Sequence, residues 1–133
     1  MKVGFDTSVV LRLLVGEPIS QAKAAVKYFQ ELREKGCRIL VSDLVVTETY
    51  FALQHHYQTP KSEALAQLKT FLSTDGIENM GVASHVLNTP NLESAKPGFV
   101  DRTIHAQYAD KAETVASFET AFRRLEKGLV LDA

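Results

Sequence analysis

The chain has 133 residues, of which 45% are hydrophobic and 23% charged, a balance that suits one soluble domain with a sizeable core and excludes a disordered or low-complexity polymer. Fifteen basic against sixteen acidic residues leave a formal charge of -1, which excludes a protein that coats nucleic acid through overall positive charge. The single cysteine, Cys37, excludes an internal disulfide and a cysteine-based metal site and points to a reducing cytoplasm. Asp6 and Arg12 break the opening apolar run, so neither a signal peptide nor a membrane span is expected.

A first strand is expected in "KVGF", passing at Asp6 directly into a helix over "TSVVLRLLV". After the "GEP" turn, "SQAKAAVKYFQELREKG" sets Ala24, Ala25, Tyr28, Phe29 and Leu32 at helical spacing, with Gly36 as the stop. "CRILVS" reads as a short buried strand that runs into a helix from about Asp43 to Tyr57, capped by Ser42 or Asp43. "TPKSEALAQLKTFLSTDG" predicts another helix, with Thr59 as cap, Pro60 at its first position and Gly76 ending it. Its apolar stripe is Ala64, Leu65, Leu68, Phe71 and Leu72. "IENM" is a short strand, "VASHVLN" a helix and "TPNLESAKPG" a loop. A helix from Phe99 to about Asp110 stacks Val100, Ile104 and Tyr108 four apart; a strand in "ETVASF", a short helix in "ETAFRRLEKG" and a last strand in "LVL" follow. Strands alternating with helices argue for an α/β fold with a parallel sheet covered on both faces, whose pockets form at the C-terminal ends of the strands.

Four acids fall where such a fold places chemistry. Asp6 follows the first strand and Glu119 follows "TVASF"; Asp101 lies in the first turn of its helix, where the dipole favours negative charge. Each has an ordinary role available, as a helix cap or first-turn acid. Glu48 is different: its helical neighbours Leu44, Val45, Phe51 and Ala52 put it within an apolar stripe, where a carboxylate needs a cation, either a metal or a residue such as Arg12. Gathered together, such acids would raise one another's pKa unless a divalent ion neutralised them. Oxygen ligands without a histidine or cysteine set point to Mg2+ or Mn2+ rather than zinc.

The motifs carrying these acids resemble those of the PIN-domain ribonucleases, and among them the VapC toxins of toxin-antitoxin pairs, over nearly the whole chain. "DTS" and "VVLRLL" match the family's "D-T-N" and the helix start after it; "SDLVVTE" places the family's glutamate at Glu48; "GFVDRTI" places its third acid at Asp101. "SFETAF" resembles the closing "T-F-D-x-D-F", with Glu119 for the usual aspartate and Ala121 at the next acidic position, and Gly98 stands where an extra aspartate is common. The resemblance implies a single domain, a three-layer α/β/α sandwich with a central parallel sheet of order 3-2-1-4-5, and Mg2+- or Mn2+-dependent cleavage of RNA. It also implies a small antitoxin protein as partner and a homodimer. Asp6, Glu48, Asp101 and Glu119 would be the catalytic and metal-binding acids, with Thr7 or Ser8 orienting a ligand. The extra methylene of Glu119 moves its carboxylate out by roughly 1 to 1.5 Å, which Mg2+ tolerates badly.

His55 and His56 are expected to be capping or surface residues at a helix end, and His105 a structural one. Arg102, Arg123, Arg124, Lys127 and Lys96 are the candidates for phosphate contact, although a basic run on a helix is usually a solvated face. No interleaving of aromatic and basic residues of the kind that stacks single-stranded bases stands out. A non-enzymatic interaction module, its metal site eroded at Gly98, Glu119 and Ala121, is the competing function. Phosphoryl transfer through an aspartate nucleophile explains Asp6 but wants an acid where Ser8 stands and a lysine after Phe118.

Overall fold

Short apolar runs, each followed by a polar or glycine-containing turn, set the order of elements. In the computed structural model, which describes residues 1–133, the strands are β1 (Lys2–Gly4), β2 (Arg38–Val41), β3 (Ile77–Asn79), β4 (Val115–Ser117) and β5 (Gly128–Val130). The helices are α1 (Thr7–Val15), α2 (Ile19–Glu34), α3 (Asp43–His55), α4 (Lys61–Leu72), α5 (Ala83–Leu87) and α6 (Phe99–Ala109). Single 3-10 turns occupy Leu92–Ser94, inside the expected loop, and Thr120–Arg124, where a short helix was expected. No helix is long and apolar enough to cross a membrane.

β2 runs between β1 and β3, parallel to both, with Val3 opposite Ile39 and Ile39 opposite Ile77. β4 and β5 make a second parallel pair, with Val115 opposite Gly128. Of the expected single sheet of order 3-2-1-4-5, the structure has the runs 3-2-1 and 4-5 as two separate sheets, and no ladder joins β1 to β4. β1 and β4 are only 3 residues long; Phe5 N–H, just after β1, bonds Leu40 O of β2, and Leu131 N–H, just after β5, bonds Ser117 O of β4. Strands so short present few groups on an outer edge. Within the pair, the backbone of Gly128 lies so close to the Phe122 carbonyl that a Cβ would collide with it, which restricts the position to glycine.

One cluster of 21 buried residues draws on Phe5 just after β1, on β2 and β3 and on α1 to α6, centred on Ile39 and Val41, which are fully enclosed. Val115 and Phe122 are buried apart from it, beneath the second pair. The expected stripe of α4 is buried throughout. That of α2 is buried at Ala25 and Leu32, joined by Ala22, while Ala24 and Tyr28 face solvent. On α6 the buried face is Phe99 and Thr103; Ile104 and Tyr108 lie on a wet flank, because the helix is rotated toward the core by its two most enclosed residues. Thr59 does not cap α4, which starts from Pro60 without a side-chain acceptor. Ser42 caps α3, its Oγ accepting from Val45 N–H at 3.2 Å, and this leaves Asp43 free to bond elsewhere.

Candidate active site

Asp6 sits at the seam between β1 and α1 and performs the cap: its Oδ1 accepts from Ser8 N–H (3.0 Å), Val9 N–H (3.3 Å) and the Ser8 hydroxyl (2.6 Å). The Ser8 hydroxyl above all, and the Val9 N–H after it, hold the carboxyl below the usual aspartate range, so it is ionised at neutral pH. All of these bonds end on Oδ1, which leaves Oδ2 facing solvent. Capping therefore occupies one oxygen of the carboxylate and leaves the other outside its hydrogen bonds.

Thr7, the first residue of α1, points its hydroxyl across to α3 and donates to Glu48 Oε1 at 2.6 Å, spanning 41 positions of sequence. This bond joins the first and second acidic motifs. Glu48 is not buried, contrary to the expectation from its neighbours. The enclosed face of α3 is Val46, Thr49, Tyr50 and Leu53, whereas Leu44 and Phe51, which share the Glu48 face, are 69% and 47% exposed. Apolar residues surround α3 on almost every side, so spacing alone misplaces its core face. Nor does Arg12 neutralise Glu48; its Nε donates to Gln21 Oε1 at 2.7 Å. The ion pairs of the chain are Arg33–Asp75 and Arg38–Glu78, so all four candidate acids lack a cationic partner.

Asp101 stands in the first turn of α6 and lines a hollow with Phe51, Gln54 and His55 of α3, past Glu48 along that helix. Glu119 is exposed at the end of β4, where its backbone N–H bonds Ser117 Oγ (2.9 Å) and its side chain caps nothing. Thr7, next to Asp6 in sequence, is thus tied to Glu48, while Asp101 lines a hollow with the second half of α3 and Glu119 belongs to the separate strand pair. In the observed side-chain conformations no three or more His, Cys, Asp or Glu groups converge closely enough to hold a metal ion.

The chain resembles a VapC ribonuclease. It is 28% identical over 123 residues to the VapC ribonuclease of Aquifex aeolicus (strain VF5), across 90% of this chain and 89% of that protein. No family model matches the chain, and no solved structure matches it. The similarity to VapC is in line with the family resemblance read from the sequence.

Most of the candidate phosphate-binding cations are tied up. Arg102 donates to Pro97 O (2.6 Å) and Lys96 O (3.5 Å), Arg124 to Lys96 O (3.4 Å), and Lys127 Nζ to Ala109 O (2.6 Å). They hold the loop before α6 and the C-terminal end of α6, while Arg123 and the Lys96 ammonium take no part in these bonds. His105 is structural, its Nε2 donating to Glu126 O at 2.6 Å.

Asp43, considered from the sequence only as a cap, carries the densest set of bonds. Its Oδ1 accepts from Asn79 Nδ2 and Ala83 N–H, both at 3.0 Å; its Oδ2 accepts from Val82 N–H at 3.0 Å and Gln107 Nε2 at 2.9 Å. Burial by itself pushes this carboxyl up, but the bonds from Val82, Gln107, Asn79 and Ala83 outweigh it and keep the group below the usual range. Asp43 thereby caps α5 from another element and ties α3 to α6. The sequence held one hint: "GVASHV" starts a helix with no capping side chain of its own.

Proposed function

We propose that this protein is an endoribonuclease dependent on Mg2+ or Mn2+, the toxin of a toxin-antitoxin pair. The observation that carries the reading is the Thr7–Glu48 bond, which ties the first acidic motif to the second, and the acids of both motifs have no cation to neutralise them. The similarity to a VapC ribonuclease supports the substrate class. The donors suit a hard divalent ion: Asp6 and Glu48 each keep an oxygen outside their hydrogen bonds, and Mg2+ takes one or two carboxylates when waters and a substrate phosphate complete its shell. Asp101 and Glu119 are then the outer members of the set, reached through water or through the substrate.

The chain's own residues prepare this site. Ser8 and the Val9 N–H keep Asp6 ionised, and Thr7 holds Glu48 in one orientation. Unpaired carboxylates repel RNA phosphates, so the substrate backbone approaches only when a cation screens them. Such an ion supplies Lewis acidity toward the scissile phosphate and the attacking water. A cytoplasmic antitoxin would silence the site by placing a basic side chain against the acids and apolar surface over α3 and α6, where Leu44, Ile104 and Tyr108 are exposed. A homodimer would cover part of the same apolar surface.

The test is incubation of purified protein with mixed RNA in Mn2+, in EDTA, and as Asp6→Asn. Cleavage in Mn2+ alone is expected; cleavage that survives both EDTA and the substitution refutes the reading. A second reading, a catalytically eroded interaction module, is favoured by the absence of three converging acids. Calorimetry that detects no Mn2+ binding at millimolar concentration would favour it.

A further inference from the structure

We propose that the hollow between the second half of α3 and the start of α6 is a nucleobase subsite, where a base of single-stranded RNA stacks on Phe51 and His55 beside Asp101. The substrate class rests on the ribonuclease reading above, but the subsite stands on its own geometry. The hollow measures about 380 Å³, at the small end of ligand sites and of a size for a single nucleotide. Phe51 is 47% exposed, and its ring lies 22° from parallel to that of His55 with centroids 6.1 Å apart, an offset stack that a base can extend.

The platform is braced from beneath. Tyr50 and Phe99 are buried and meet edge to face with centroids 5.1 Å apart, so the helix presenting Phe51 is held in place. Around the rings stand polar groups of the kind that recognise a nucleotide. The Gln54 amide offers both donor and acceptor to a base edge. The Lys61 ammonium, at the start of α4, enters no ion pair of the chain and offers its charge to a phosphate. A protein partner laid over this face would strand an ammonium and an amide at the centre of its interface, where charge is depleted. Asp101 on the opposite wall puts one of the candidate acids in the hollow, so a base held there would set which nucleotide lies beside that carboxylate.

Fluorescence anisotropy of a labelled ten-nucleotide single-stranded RNA, with divalent ions chelated, tests the subsite alongside cleavage assays in Mn2+. Phe51→Ala is expected to weaken binding roughly 5- to 150-fold and Phe51→Tyr to restore it to within about twofold of the parent. Lys61→Met is expected to lower the salt slope of log affinity by about 0.7, the share of one phosphate contact, and serves as the test if Phe51→Ala does not fold. Unchanged affinity in Phe51→Ala with the parent's circular dichroism spectrum, or an unchanged salt slope in Lys61→Met, overturns the subsite; RNA that is still cut then leaves the nuclease reading standing. RNA held through Phe51 but never cut in Mn2+ sinks the nuclease reading and keeps the subsite. Loss of self-association in Phe51→Ala, with RNA affinity unaltered, assigns the face to a second copy and also overturns the subsite.

Discussion

Replacing Asp43 with asparagine changes one atom in a buried carboxylate and should cost much of the molecule's stability. Each Asp43 oxygen accepts two bonds, Oδ1 from Asn79 and Ala83 and Oδ2 from Val82 and Gln107. An amide keeps one oxygen and turns an NH2 toward the other two donors, so two charge-assisted bonds are lost. At about 1.5–3 kcal/mol each this gives about 3–6 kcal/mol, and the relieved burial of a charge brings the net toward 3 kcal/mol. Against a typical total of about 5–15 kcal/mol, that is a large fraction. Urea unfolding at pH 7, followed by far-ultraviolet circular dichroism, measures the difference at constant slope.

The pH dependence has a definite sign. Asp43 is held below its ordinary value in the folded chain, so its contribution is complete above the unfolded aspartate pKa of about 3.9 and is lost as pH falls through the lower folded value. The gap between parent and Asp43→Asn should therefore be constant from pH 7 to about 5 and shrink below about 4. A gap under about 1 kcal/mol at pH 7, or one that widens in acid, would refute the account of Asp43 as the charged tie between α3, α5 and α6.

Asp6→Asn should separate capping from catalysis: asparagine caps as well as aspartate, so stability should move by less than about 0.5 kcal/mol while Mn2+-dependent RNA cleavage is lost. Thr7→Val removes the proton donated to Glu48 and should lower the cleavage rate while Thr7→Ser retains it, with stability within about 1 kcal/mol of the parent by thermal melting. Gly98→Asp meets no neighbouring atom at the N-cap of α6, where φ is -82°, and should raise stability by roughly 0.5–1 kcal/mol as a new cap near the helix dipole. Gly81→Ala drives a Cβ into the Asp43 carboxylate and should destabilise by about 1–3 kcal/mol in the same urea assay.

Local pattern was enough for the alternation of strands and helices, because a strand such as "RILV" and a helix such as "ALAQLKTFL" declare themselves within one turn of chain. Asp6 was legible for the same reason: its cap partners, Ser8 and Val9, are its immediate neighbours. Facing and convergence were not legible. Which side of α3 is buried depended on what packs against it, so Glu48 emerged in solvent, held by a hydroxyl 41 residues away. The bonds of Asp43 span 36 to 64 residues, and the Phe51, Lys61 and Asp101 hollow draws on three helices. Propensity and capping act over a few residues and can be read along the chain, whereas the pairing of carboxylates, amides and rings is settled by which helices the core brings into contact.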